Sequence, residues 1–192
     1  MTDEAAELER LQGELDRCRE ALAEARLVLE VLGAVDGASG LPNRRGVIDA
    51  IEDAGNRLDR TGEGYAVLHV SVPVLATLGS DDRLEGVRHV GALLTAALRG
   101  VDRIGRFDDT SFVAILAEAD AAGVAVVARR LSAALGALPL RTGGGELPVE
   151  LGFAAVVAGA RPAPAVDELV GVLVDAALRA EPGPEPVIAM AP

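Results

Sequence analysis

The sequence contains no lysine, so each of its 18 basic side chains is an arginine. A guanidinium group presents a rigid fork of donors that suits bidentate recognition of a phosphate or a guanine edge. Acidic residues outnumber these arginines: 30 aspartates and glutamates give the chain a formal net charge of −12. This balance argues against a nucleic-acid partner, since neutralising a phosphate backbone requires clustered cations.

Other absences narrow the chemistry further. Cys18 is the only cysteine, which excludes an intrachain disulfide and a metal site built from several cysteines. His69 and His89 have no partners at metal-binding spacing, so both are expected to be structural or exposed. We expect neither a metal nor a resident cofactor. There is no apolar run of 18 or more residues and no signal peptide, so we expect a cytoplasmic protein without a membrane partner. The 192 residues, half of them apolar, suffice for one domain plus an extension.

A long helix is predicted over residues 3–33, within an N-terminal region of residues 1–35. Its apolar residues alternate spacings of three and four, which forms the a/d seam of a coiled coil. This pattern favours a parallel homodimer. The alternative is a helix packed on its own domain, although such a helix usually carries a broader apolar stripe. The seam consists of Leu8, Leu11, Leu15, Cys18, Leu22, Ala25, Leu29 and Leu32.

Beyond this region the pattern predicts elements in the order α-β-α-β-β-α-β-α. Residues 65–72 form a buried apolar run, residues 104–107 and 112–116 flank a polar turn, and residues 149–157 alternate, so all are predicted strands. Asp120 is placed to cap the third helix of this order. Residues 141–146 are predicted to be a Gly-rich loop. The tail from residue 181 contains four prolines and is expected to be extended or loose.

Residues 36–45 read Asp-Gly-Ala-Ser-Gly-Leu-Pro-Asn-Arg-Arg, with Pro42 placed for the first turn of a helix. This segment resembles the motif Asp-x-Leu-Thr-Gly-Leu-Pro-Asn-Arg-Arg of GGDEF domains, the diguanylate cyclases. The predicted hairpin turn, Asp108-Asp109-Thr110-Ser111-Phe112, takes the place of Gly-Gly-Asp-Glu-Phe. In motif order the resemblance covers residues 36–189 and implies a bacterial signal-transduction protein. The implied fold is α/β (α+β): a nucleotide-cyclase-like mixed sheet of about five strands, flanked by helices and preceded by the N-terminal helix.

The sequence departs from the family where the chemistry needs particular residues. Members take magnesium-binding carboxylates from the end of the first strand and from the fourth turn position, which correspond here to Ser71 and Ser111. A hydroxyl is a poor substitute for the hard carboxylate oxygens that magnesium prefers. Asp108 and Asp109 replace the two glycines that let the backbone approach the phosphates. Unit charges ~4 Å apart repel by ~4 kcal/mol at a dielectric constant of about 20, which opposes binding of a polyphosphate.

Two further stretches lack the family's chemistry. The asparagine and aspartate that follow the first strand have no clear counterparts, and residues 174–180 lack the family's tyrosine and lysine. We therefore interpret the chain as a catalytically inactive GGDEF domain, with no catalytic residue and no metal ligand. A residually active cyclase is the less favoured alternative.

The resemblance also implies a regulatory site for cyclic di-GMP, and this sequence has matching residues at the positions of that site. The family's marker is Arg-x-x-Asp, with the aspartate six positions before the turn, where Arg99 and Asp102 stand. Arg130 stands eighteen residues beyond Phe112, at the position of a third contact. An arginine can donate two bonds to guanine O6 and N7, and a carboxylate can accept from the guanine N–H groups.

Two alternatives to this ligand site stay open. Arg99 and Asp102 could form a surface ion pair, worth ~0–1 kcal/mol. The chain could also be a ligand-independent scaffold that pairs with itself through its helix and binds an unidentified protein partner.

Overall fold

The computed structural model describes residues 33–191 and, in the N-terminal region, residues 10–12, 15, 17–19 and 22. Those N-terminal residues are helical, and the members of the predicted seam among them are exposed, namely Leu11, Leu15, Cys18 and Leu22. The other seam residues, and with them the predicted coiled-coil dimer, lie outside the described residues. Within the described part of the chain, no helix has both the length and the apolar character needed to cross a bilayer.

Helices and strands follow one another in the predicted order, with a 3₁₀ turn and three short strands in addition. The elements are α1 Arg44–Thr61, β1 Tyr65–Ser71, the 3₁₀ turn Pro73–Thr77, α2 Ser80–Ala97, β2 Arg103–Arg106, β3 Ser111–Ala117, α3 Ala121–Gly136, β4 Leu140–Thr142, β5 Gly145–Leu147, β6 Gly152–Ala158, α4 Val166–Ala177 and β7 Val187–Met190.

Five of the strands form one mixed sheet in the order β2-β3-β1-β6-β7. β1 lies at its centre and pairs antiparallel with β3 and with β6, and β2 pairs antiparallel with β3. Only β6 and β7 pair in parallel. This arrangement confirms the predicted fold class, a five-stranded mixed sheet flanked by helices.

Apolar side chains cover both faces of the sheet. Successive residues of a strand point to opposite faces. Leu68 and Val70 of β1 therefore join the cluster under α2 and α3, while Val67 joins the cluster under α1 and α4. Burial on both faces explains why β1 is an almost continuous apolar run rather than an alternating one.

Side-chain caps fix where two helices begin. Asp120 caps α3 as predicted, because its carboxylate accepts the N–H of Gly123 at 2.8 Å. Asn43 caps α1 and accepts the N–H of Gly46 at 3.1 Å. The prediction for Pro42 was wrong: it lies before the cap, not in the first turn, because α1 begins after Asn43, whose side chain accepts the N–H of Gly46.

The structure adds short strands at two further places. Part of the predicted Gly-rich loop is a small hairpin, in which β4 pairs with β5. The tail is not loose at residues 187–190, because β7 pairs with β6 and forms an edge of the main sheet. The prolines had suggested a loose tail, but none lies within β7, so its backbone donors remain available for the ladder.

Candidate functional site

The turn between β2 and β3 is closed by its own side chains. The carboxylate of Asp108 accepts the N–H of Thr110 at 2.8 Å and its hydroxyl at 3.3 Å. The N–H of Phe107 donates to the carbonyl of Ser111 at 3.0 Å. An aspartate that bonds to the backbone two residues on is a standard way to stabilise a turn. The hairpin therefore closes without the glycines of the family's signature.

Ser71 and Ser111 lie directly opposite each other in the sheet. They are register partners at the ends of β1 and β3, where opposed Cα atoms are about 4.5–5.5 Å apart. Ser111 is buried, with 2% of its surface exposed. The structure thus brings together the two positions that the sequence resemblance matches to metal-binding carboxylates, and both carry hydroxyls.

His69 and Asp108 lie beside this serine pair. Burial lowers the pKa of His69, and the charge of Asp108 offsets part of that effect. Burial raises the pKa of Asp108, but the Ser111 hydroxyl, the groups of Thr110 and the imidazole of His69 outweigh it, so that the pKa lies below its ordinary value. The rings of Phe107 and His69 stand edge-on, with 6.4 Å between their centroids. The guanidinium carbon of Arg44 lies over the Phe107 ring, 4.4 Å from the centroid of that ring.

Magnesium is the cofactor that the family resemblance implies, and the residues present do not fit it. The two positions that should supply its carboxylates carry serine. Among the described residues, no group of three histidine, cysteine, aspartate or glutamate side chains could hold a metal ion.

An ion pair joins this hairpin to the turn that precedes α1. Nη1 of Arg106 lies 3.2 Å from Oδ2 of Asp36, and the two side chains are 14% and 5% exposed. Oδ1 of Asp36 also accepts the N–H and the hydroxyl of Ser39, at 2.7 and 2.6 Å. Sequence reasoning missed this pair. Its only signal was that Asp36 begins one motif and Arg106 lies just before the other.

Asp102 closes the corner between α2 and β2. Its carboxylate accepts the N–H of Arg99 at 3.0 Å and the N–H of Ala117, at the end of β3, at 3.3 Å. The guanidinium of Arg99 is exposed and forms no ion pair with Asp102 or with any other described carboxylate. The two residues are therefore brought together by the backbone of the turn, not by a surface ion pair.

Arg130 lies on α3, which packs against α2. Its side chain is half-buried, and its Nε and Nη2 atoms are buried without a hydrogen-bond partner in the described structure. The neighbouring Arg129 is exposed and lies 3.6 Å from Glu185. No described contact joins Arg130 to Arg99 or Asp102, so its role as a third ligand contact stays a prediction.

Comparison with known proteins finds likeness in structure but not in sequence. No family model matches the chain, and no curated protein matches it. Solved structures do match. The diguanylate cyclase SiaD from Pseudomonas aeruginosa, in complex with its activator SiaC, is 21% identical with a TM-score of 0.72, over 97% of this chain and 74% of that one.

Two more solved structures illustrate the same likeness. The coiled coil and GGDEF domain of DgcB from Caulobacter crescentus, in complex with c-di-GMP, is 18% identical with a TM-score of 0.67, over 96% of this chain and 98% of that one. A diguanylate cyclase/phosphodiesterase from Caldicellulosiruptor saccharolyticus is 20% identical with a TM-score of 0.69, over 84% and 96%. At these identities the likeness shows the fold. The chain has the fold of GGDEF diguanylate cyclase domains, as the motifs predicted.

Proposed function

We propose that this chain is a catalytically inactive GGDEF-type signalling module that acts as a dimeric receptor for cyclic di-GMP. The observation that carries the first part is the Ser71–Ser111 pair. Joining two GTP molecules requires metal ions that neutralise the charge developing on the phosphates. Two neutral hydroxyls are weak ligands for such ions. The carboxylates of Asp108 and Asp109, the first two residues of the turn, repel the phosphates.

The corner at Asp102 supports the second part. The exposed guanidinium of Arg99 has its donors available for a guanine edge or a phosphate, and Asp102 lies next to it. A carboxylate has about four lone-pair sites, of which two backbone N–H groups occupy two, so guanine donors can still be accepted. The structure of DgcB, which shares this fold, was solved with c-di-GMP.

The dimer is supported by the seam of the N-terminal region. Its described leucines are about half exposed, at 51% for Leu11, 50% for Leu15 and 54% for Leu22, which is unfavourable for a helix that stays alone. A scaffold that binds only proteins is the second candidate. It is favoured because both Asp102 oxygens already accept backbone N–H groups, one from Arg99 and one from Ala117 of β3. In addition, SiaD, which shares the fold, was solved with an activator. The cytoplasmic location remains a prediction of the sequence.

Calorimetric titration with cyclic di-GMP tests the receptor. We expect Arg99→Ala to weaken binding by ~1–3 kcal/mol, the scale of an arginine–guanine pair. Arg141→Ala is the matched control, because Arg141 is also exposed and its one ion pair among the described residues joins its Nε to Oε1 of the exposed Glu146, at 3.5 Å. Asp102→Asn is a poorer probe, since it also disturbs the backbone bonds of the corner. No binding at high micromolar ligand, or binding that Arg99→Ala leaves unchanged, would favour the scaffold.

Two measurements test the rest of the proposal. Incubation with GTP and Mg²⁺ or Mn²⁺ should yield no cyclic di-GMP above a control without protein, and clear accumulation would refute the inactive domain. Sedimentation should give a dimer for the full chain and a monomer for a chain that begins at Gly33. A full-length monomer at tens of micromolar would count against the coiled coil.

A further inference from the structure

A second concave site lies between α1 and the β2 edge of the sheet. It is a partly open cavity of about 390 Å³, within the size range of small binding sites. Its floor is apolar and buried, built from Val47 of α1, Ile104 of β2 and Ile115 of β3. Two exposed valines extend this apolar surface to its lip: Val35 is 54% exposed and Val101 is 63% exposed. An apolar floor that continues into exposed apolar residues indicates a surface that takes a partner.

The rim of this cavity is predominantly acidic. Four exposed carboxylates line it, namely Asp49, Asp53, Glu63 and Glu118, against two exposed arginines, Arg57 and Arg103. Within the described residues none of the four carboxylates forms an ion pair. The excess of unpaired negative charge around an apolar floor is complementary to an apolar group flanked by cations.

Glu118, one of the rim carboxylates, has a strained backbone conformation. It is the only described residue other than glycine with a positive φ, at 52°, and a bulky residue in that region is strained. Its N–H donates to the carbonyl of Gly64 at 2.9 Å, which holds the strained turn in place. Residues held in such conformations concentrate at ligand-binding positions.

We infer that this groove binds a segment of a partner protein that presents a large apolar side chain between basic residues. The apolar side chain fills the cavity over Val47 and Ile115, and the flanking cations face Asp49 and Asp53 on one exposed side of α1. The chain's net charge of −12 also draws a basic partner to this surface. The site is separate from the serine pair, which lies at the opposite end of β1.

Fluorescence gives a clean test because the chain contains no tryptophan. The probe is the peptide acetyl-Arg-Leu-Trp-Arg-Leu-Arg-amide, and its acidic counterpart has glutamate in place of each arginine. We expect the emission of the basic peptide to shift to shorter wavelength and to saturate on titration with the full chain, while the acidic peptide shows no shift. Absence of a shift for the basic peptide at millimolar concentration would overturn the inference.

Variants separate this groove from general attraction between charges. Asp53→Arg should weaken the basic peptide about fivefold, since it turns an attraction between exposed charges into a repulsion. Glu85→Arg makes the same charge change on α2, on the other face of the sheet, and should leave binding unchanged. Ala50→Phe fills the cavity and should abolish the emission shift, with a thermal melt to confirm folding. Equal weakening by Asp53→Arg and Glu85→Arg, or equal binding of both peptides, would overturn the inference.

Discussion

Asp36→Ala should destabilise the fold through one buried ion pair. The substitution removes a carboxylate that accepts from Arg106 and, through two bonds, from Ser39. Breaking a buried pair by deleting one partner costs about 3–5 kcal/mol when the remaining charge has no compensation. After the substitution, Nε of Arg106 still donates to the carbonyl of Asp108 at 3.1 Å, and its side chain is 14% exposed, so water reaches part of it. We therefore expect a smaller loss of about 2–3 kcal/mol in the free energy of unfolding.

Urea unfolding followed by far-UV circular dichroism measures this loss. With a slope of about 2–3 kcal/mol per molar, the midpoint should fall by about 1 M. Asp109→Ala is the matched control, because Asp109 contacts the same arginine at 3.6 Å but is 86% exposed. Its loss should stay within about 0.5 kcal/mol, the value of a surface pair.

A double-mutant cycle decides whether the pair itself is responsible. Arg106→Met combined with Asp36→Ala should destabilise less than the sum of the single changes, with a coupling energy of about 1–2 kcal/mol. Strict additivity, or a loss below 1 kcal/mol for Asp36→Ala, would show that this contact does not hold the hairpin to the turn before α1.

Two other predictions concern the same side of the sheet. Burial holds the pKa of His69 below its ordinary value, so the unfolded chain binds the proton first as the pH falls, and the free energy of unfolding should decline below about pH 6.5. Urea midpoints at about pH 7.5 and 5 measure this decline, and His69→Gln should reduce the difference between the two midpoints. Gly105→Ala should cost about 1–3 kcal/mol, because its Cβ would stand 2.5 Å from Cγ2 of Val47 and 2.6 Å from the carbonyl of Pro42; an unchanged melting temperature would contradict this packing.

The sequence predicts those features that depend on neighbours along the chain. The apolar run of residues 65–72 predicted the buried strand β1, and the cap at Asp120 depends on a residue three positions away. β7 was missed because its pairing with β6 is decided by the assembled sheet, while the prolines around it suggested a loose tail. Periodicity carries no information about such long-range pairing.

The candidate site divides in the same way. The resemblance predicted that Ser71 and Ser111 share a site, and the register of β1 and β3 places them opposite each other. The Asp36–Arg106 pair joins residues 70 positions apart, and no local pattern announces it. The partners of Asp102 are backbone groups, which a sequence cannot identify until the corner between α2 and β2 is built.

The serine pair also makes physical sense for the sheet itself. Two carboxylates on register partners, about 5 Å apart, would repel by about 3 kcal/mol at an effective dielectric constant of 20. An active cyclase offsets that repulsion with its metal ions. A chain that binds no metal would bear the repulsion at the buried ends of β1 and β3, where Ser111 is 2% exposed. Two hydroxyls remove it, and they leave the pairing of β1 with β3 independent of any ion. The two serines that argue against catalysis therefore also allow β1 and β3 to pair without a metal ion between them.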